Sequence, residues 1–240
     1  MQPEIAQQLL ELNHQFYQTF AEHFSETRQR IQPGVVKSID SIPKTAHVLD
    51  LGCGNGQLAA HLNGQGYTGL YVGLDTSANL IEIARQQNLP NAMFFQADLT
   101  GNMWQDQLPQ TLFDTVVCFA VLHHIPSTRL RVEFLNKVRQ HLSPNGLFIH
   151  SNWQFLQSPK LRRRIQPWEK VGLTADLVDE HDYLLDWRRG GAGFRYVHYY
   201  TSDELSSLAD QTGFKVQDEF LSDGEGGRLG LYQIWEIRKT

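Results

Sequence analysis

The chain has 240 residues, 41% of them hydrophobic, and a formal net charge of −5. That length suits one α/β domain with additions, and the charge excludes a globally basic, nucleic-acid-coating surface while leaving room for a local basic patch. No apolar run approaches the ~20 residues that span a bilayer. Residues 1–12 carry neither a basic n-region nor an apolar h-region, so no secretory leader is expected. The two cysteines, Cys53 and Cys118, stand in no metal-ligand spacing, so no metal site is expected and a reduced cytoplasm is the simplest compartment.

In chain order, residues 3–30 read as an amphipathic helical lead-in. Apolar runs at 46–51, 70–75, 92–96, 115–119 and 147–151 predict strands, and amphipathic stretches at 57–64, 78–87 and 128–141 predict the helices between them. Pro126-Ser127 caps the start of the last helix, and Ser143-Pro144-Asn145-Gly146 ends it. A long insertion, 153–200, follows the fifth strand. A further helix starts at Ser202, with Asp203 and Glu204 in its first turn, and stops at Gly213. Runs at 214–221 and 230–237 read as a closing hairpin pair. The alternation predicts a single α/β domain over 1–240: a doubly wound, seven-stranded Rossmann-like sheet with helices on both faces. Its parts are a helical lid (3–30), a ligand-binding core (44–151), a covering insertion (153–200) and a closing helix and strands (201–240).

The first strand runs straight into Asp50-Leu51-Gly52-Cys53-Gly54-Asn55-Gly56. Glycines at 52, 54 and 56 permit a tight turn and a close backbone approach to a ligand. A dinucleotide loop would read G-x-G-x-x-G; here the third glycine comes one residue early, which argues against a NAD-dependent oxidoreductase. The pattern D-x-G-x-G-x-G at the end of a first strand resembles the cofactor loop of class I S-adenosylmethionine-dependent methyltransferases. The expected cofactor is therefore S-adenosyl-L-methionine, with S-adenosyl-L-homocysteine as product. Asp75 ends the second strand about 20 residues beyond the loop, where a doubly wound fold holds a ribose diol, and a carboxylate can accept both hydroxyls. Thr76 follows it. Asp98 can accept from the adenine amine and Leu99 can offer its backbone amide; Phe119 and Ala120 open the loop after the fourth strand. Cys53 reads as a small filler beside the cofactor rather than a nucleophile.

The flanks narrow the resemblance. The segment from Phe16 to Arg28, the run from Ala120 to Pro126, Pro167-Trp168, and Phe194-Arg195-Tyr196-Val197-His198-Tyr199-Tyr200 look like the eukaryotic tRNA wobble-uridine methyltransferases, which esterify a carboxymethyl group on the base. The likeness covers nearly the whole chain. It departs at Gln29-Arg30-Ile31-Gln32-Pro33 and from Gly224 to Leu231, differences that bear on the acceptor more than on the reaction. The resemblance implies that Tyr17 and Arg28 close over the cofactor carboxylate, and that a small activating partner protein is involved.

A sulfonium methyl is already activated and a carboxylate is already an anion, so their reaction needs alignment and exclusion of water rather than a strong base. A guanidinium can grip a carboxylate through two parallel hydrogen bonds, which makes Arg195 the candidate for that grip, with His123 and Tyr196 as further catalytic candidates. His124, Asn152, Trp153, Trp168, His198 and Tyr199 are expected to contact substrate. If 195–200 is extended, Arg195, Val197 and Tyr199 fall on one face and Tyr196, His198 and Tyr200 on the other. Lys160, Arg162, Arg163, Arg164, Arg188 and Arg189 form the dense basic cluster of the chain, suited either to a solvated face or to a phosphate-bearing substrate. The acceptor is accordingly a tRNA or a small molecule (a carboxylate, phenol or other metabolite). A non-catalytic cofactor-binding protein is the reading outside the enzyme class.

Overall fold

The computed structural model describes residues 1–27, 30–101, 103–188 and 190–238, with only the backbone of 21–27 described. Arg28 and Arg189 lie outside the described residues. Seven strands make the main sheet: β1 (Val48–Leu51), β2 (Tyr71–Asp75), β3 (Ala92–Gln96), β4 (Phe113–Phe119), β5 (Leu142–Trp153), β9 (Phe214–Ser222) and β10 (Gly230–Ile237), in the order β3-β2-β1-β4-β5-β10-β9. The first five are parallel, and β10 is antiparallel to both of its neighbours. β1 is buried at all four positions, Asp50 included, because it is covered on both faces. One face packs under α2 (Pro33–Ile39), α3 (Gln57–Gly64) and α4 (Ala78–Gln86); the other packs under α5 (Thr128–His141) and α7 (Ser202–Gln211). Strand order reverses between β1 and β4, so a ligand crevice opens beyond their carboxyl ends.

Three features differ from the sequence expectation. The helix α2 was not foreseen; it is only seven residues long and begins at a proline. The turn expected at 143–146 lies inside β5, because Phe113 pairs with Leu142 and Thr115 with Leu147. The helix ends at His141 and the strand starts at once, with Ser143 to Gly146 absorbed as an irregularity of register. The insertion also builds its own antiparallel sheet: β6 (Ile165–Gln166), β7 (Asp182–Trp187) and β8 (Gly193–His198), preceded by the short α6 (Pro159–Arg162).

The lead-in is the helix α1 (Pro3–Thr27), which lies on this small sheet. Leu9 is fully buried and clusters with Trp168, Leu173, Leu184 and Tyr196. Phe16 and Phe20 pack against Trp187, with ring centroids 5.8 and 6.3 Å apart. The small sheet is bolted to the core through one buried carboxylate. Asp182 Oδ1 accepts from Arg131 Nη2 on α5 (3.4 Å), from the Tyr196 hydroxyl (2.7 Å) and from His198 Nδ1 (2.7 Å). Glu204, at the start of α7, meets His198 Nε2 at 2.8 Å. Among the described residues no helix is long and apolar enough to cross a membrane.

His150 is wholly buried on β5, stacked on Phe148 and edge-on to Trp235. Its Nδ1 faces Asn152 Nδ2 at 3.0 Å; the amide must donate there, so the ring is neutral. Burial pulls its pKa from 6.5 to about 3. A group whose folded pKa is depressed costs stability as pH falls below its unfolded pKa, here from about 6.5 towards 3. His150→Leu should flatten this part of the acid limb: its melting temperature should drop less between pH 6.5 and 4 than that of the parent. Parallel limbs in thermal melts would overturn the assignment.

Candidate active site

A cavity of about 560 Å³ opens over the carboxyl ends of β1 to β4, with α1 as its roof. Of the residues expected to hold a cofactor, Gly52, Gly54, Asp75, Thr76, Asp98, Leu99, Phe119, Ala120 and Tyr17 line it. Asp75 is set before any ligand arrives: Oδ2 accepts from Gly54 N–H and Oδ1 from Ser77 N–H, both at 2.9 Å. A carboxylate is an acceptor of the kind a diol needs, and this one lines the cavity. Asp98 Oδ1 is tied to the amide and hydroxyl of Thr100 at 2.9 and 2.7 Å. Ala120 adopts φ 57° where β4 leaves the sheet, a left-handed conformation of the kind that concentrates at functional sites.

The glycine loop divides into two roles. Gly54, at φ +56°, would carry a Cβ with nothing within 4 Å, since it faces the cavity. Gly52, at φ +89°, would put a Cβ 2.2 Å from Val121 Cγ2, so it serves the close packing of the loop after β4. This open cradle at Gly54, with the oriented carboxylate beside it, fits S-adenosyl-L-methionine.

Asp50, Cys53 and Gly56 do not line the cavity. Asp50 lies beneath the loop, accepting from the Tyr71 hydroxyl. Burial pushes its carboxyl up to about 7, the Tyr71 bond opposes this, and Asp75 adds to it. Cys53 turns inward: its Sγ is 2.8 Å from where a Gly73 Cβ would sit. Burial first, then Asp50 and Asp75, raise its thiol well above the ordinary value, which leaves it un-ionised and fits the filler reading. Gly56 starts α3 at φ +79° and abuts Ala84 of α4.

On the acceptor side the expected residues separate into layers. His124 lines the cavity. Its Nδ1 is 3.1 Å from the Tyr196 carbonyl, which can only accept, so Nδ1 carries the proton. In the neutral ring, Nε2 then accepts from the Tyr17 hydroxyl at 2.6 Å. Tyr17 also hydrogen-bonds the guanidinium of Arg195. Arg195 is buried one layer behind, its guanidinium carbon 4.4 Å from the Trp153 ring centre, 5.3 Å from Phe16 and 5.6 Å from Trp187. Its Nε and Nη1 have no hydrogen-bond partner, and among the described residues no carboxylate pairs with it. Burial lowers its pKa, Tyr17 opposes that, and Arg164 reinforces it. His123 stacks on Trp153 at 5.5 Å, and its Nδ1 accepts from the Trp153 amide at 3.4 Å.

Four expected contacts and one catalytic candidate lie off the cavity lining. Tyr196 and His198 are spent on Asp182, and strand alternation turns them away from the face that carries Arg195. Trp168 is buried beneath α1. Tyr199 packs edge-on to Phe155 at 5.5 Å. Asn152 is fully buried and engaged with His150. In the basic cluster, Lys160, Arg162 and Arg163 are exposed and in no ion pair among the described residues; Arg164 is half-buried, and Arg188 pairs with Asp186 at 2.6 Å.

Sequence reasoning named the helical lid and Tyr17 but not the rest of its cavity-facing stripe. Ala6, Leu10, Asn13 and His14 line the cavity with Tyr17, a stripe at helical spacing. The spacing was visible in the sequence, but nothing local says which stripe of α1 faces the ligand and which faces the small sheet.

The family model described as "Methyltransferase domain" matches residues 23–219. The mouse protein named tRNA (carboxymethyluridine(34)-5-O)-methyltransferase ALKBH8 is 32% identical over 161 residues, covering 65% of this chain and 23% of that protein. The *Schizosaccharomyces pombe* protein named tRNA (carboxymethyluridine(34)-5-O)-methyltransferase is 26% identical, covering 85% of this chain and 88% of that one. The chain thus spans about a quarter of the mouse relative's length and most of the yeast one's. Among solved structures, the DhpI–SAH complex superimposes with TM-score 0.63 at 20% identity, covering 97% of this chain and 98% of that one. A SAM-dependent methyltransferase from *Methanosarcina mazei* gives 0.66 at 20% identity, covering 88% and 99%. Both are likenesses of fold.

Gly54→Ala tests the cradle. Its positive φ costs a non-glycine residue about 1–2 kcal/mol, and the new methyl takes ligand space without striking protein. The variant should fold with a melting temperature a few degrees lower, and its affinity for S-adenosyl-L-homocysteine, read by calorimetry, should fall at least tenfold. Unchanged affinity would place the cofactor elsewhere.

Proposed function

Because the chain belongs to the methyltransferase domain family, we propose that it transfers a methyl group from S-adenosyl-L-methionine to a carboxylate, the carboxymethyl group of a tRNA wobble uridine. The buried Arg195 carries the proposal. A desolvated cation with two unpartnered nitrogens, caged by three aromatic rings, has among the described residues no carboxylate of the kind that normally accompanies such a charge. An acceptor carboxylate would supply it. The names of the mouse and fission-yeast relatives support the same acceptor.

When bound, the cofactor supplies an electrophilic sulfonium methyl. Asp75 would hold its ribose diol, the open side of Gly54 would admit its amino-acid portion, and Asp98 and Leu99 would address its adenine. Arg195 would orient the acceptor carboxylate, already an anion, toward the methyl group that the cofactor supplies. No proton moves, so no base is required. His124 and Tyr17 fix the guanidinium rather than exchange protons with substrate, and α1 excludes water. Arg195 contributes mainly by orientation, since an ion pair equally strong in ground and transition states would not raise turnover. Exposed Lys160, Arg162 and Arg163, on the insertion that carries Arg195, suit the phosphates flanking such a base. The proposal includes the small activating partner that the family resemblance implies.

Labelled S-adenosyl-L-methionine incubated with separate total-RNA and metabolite fractions discriminates the acceptors; label confined to a small carboxylate or phenol would replace the tRNA reading. Arg195→Lys keeps the charge but loses the fork, and should lower kcat/KM on the carboxylate acceptor about 10-fold. Arg195→Ala should lower it 10²-fold or more, as removal of charged hydrogen bonds of about 1.5–3 kcal/mol each predicts. Intact turnover and affinity in Arg195→Ala would remove the role. Reversing Arg162 and Arg163 to glutamate together should weaken tRNA binding at least tenfold and flatten its log–log salt slope by about 2. An unchanged slope in filter-binding assays would make the patch a solvated face.

A further inference from the structure

Helix α1 serves two places at once. Ala6, Leu10 and Tyr17 line the donor cavity, while Leu9 and Phe16 are buried against the small sheet. Asn13 stands on the boundary and is itself buried. Its Oδ1 accepts from the Tyr196 N–H at 2.8 Å, and its Nδ2 donates to the Tyr196 carbonyl at 3.1 Å and to the His124 carbonyl at 3.3 Å. One side chain thus completes both main-chain groups of the residue next to Arg195, as a neighbouring strand would, and ties that residue to the loop after β4. One turn further along the same helix, Tyr17 holds His124 and Arg195.

We propose that Asn13 is a positioning residue that makes the carboxylate grip at Arg195 conditional on α1 being seated over the donor cavity; this rests on the carboxylate reading above. α1 roofs the cavity, so lifting it opens the path for exchange of a nucleoside-sized donor. Lifting withdraws Asn13 from Tyr196 and Tyr17 from both His124 and Arg195, so the acceptor grip comes apart while the donor enters. Seating α1 over the donor rebuilds it. Donor therefore binds before acceptor, and each tightens the other by the same factor.

The test titrates an anticodon stem-loop RNA bearing 5-carboxymethyluridine into the full chain, with and without S-adenosyl-L-homocysteine, against the same stem-loop bearing uridine. In the parent, the product should tighten the modified stem-loop at least fivefold. In Asn13→Ala the tightening should fall below twofold and the acceptor KM should rise at least tenfold. A merely structural Asn13 would lower the melting temperature and leave the tightening intact, which overturns the proposal. So does a parent that methylates the modified stem-loop with no tightening, a result that stands even if Asn13→Ala does not fold. A parent that neither binds nor methylates the modified stem-loop with donor present removes the carboxylate reading, and this inference with it.

Discussion

A buried guanidinium with no carboxylate beside it among the described residues is the constraint on which the acceptor half of this molecule depends. Moving such a charge out of water costs several kcal/mol even after relaxation, and three aromatic rings at 4.4–5.6 Å with one phenol return part of that. Every surrounding element makes this burial sustainable. β8 carries Arg195, α1 supplies Phe16 and Tyr17, β5 ends in Trp153, and β7 ends in Trp187. The strand that holds the cation cannot drift, because its neighbouring residues, Tyr196 and His198, are fixed to Asp182.

The donor half obeys a simpler rule. Its groups sit at the ends of consecutive strands, so the sheet itself places them, and short-range geometry finishes the work: two amides aim Asp75, one threonine aims Asp98. This explains why the donor half was legible in the sequence. The order of Gly52, Gly54, Asp75 and Asp98 along the chain repeats their order across the crevice, and each lies next to an apolar run that announces its strand. The same proximity does not sort out Asp50, Cys53 and Gly56, which lie off the cavity. Membership of the motif does not say whether a residue faces the ligand or supports the turn from below, because adjacent residues of a tight loop point in different directions.

The acceptor half was legible only in part. Strand alternation separates Arg195 from Tyr196 and His198, since period two is a local property. The rest depends on pairings that no local pattern encodes. Asn13 meets Tyr196 across 183 positions and Arg131 meets Asp182 across 51; a polar residue on a helix face is equally consistent with solvent, and a histidine between two carboxylates looks in sequence like any other histidine. Aromatic content identified the insertion as important without saying which rings cage a cation and which merely pack. Trp153 does the first and Trp168 the second.

The docking of α1 on the small sheet has a consequence for biogenesis. Within this chain α1 is made before the surface that receives Leu9 and Phe16, which is built from residues 168–198. At translation rates of about 5–20 residues per second, its apolar stripe waits roughly ten to forty seconds for its bed. The first five strands of the main sheet can begin to assemble in that interval, before the roof of the cavity is laid. A nascent chain would therefore expose this apolar face until its bed is made, and covering it meanwhile is a natural task for a chaperone.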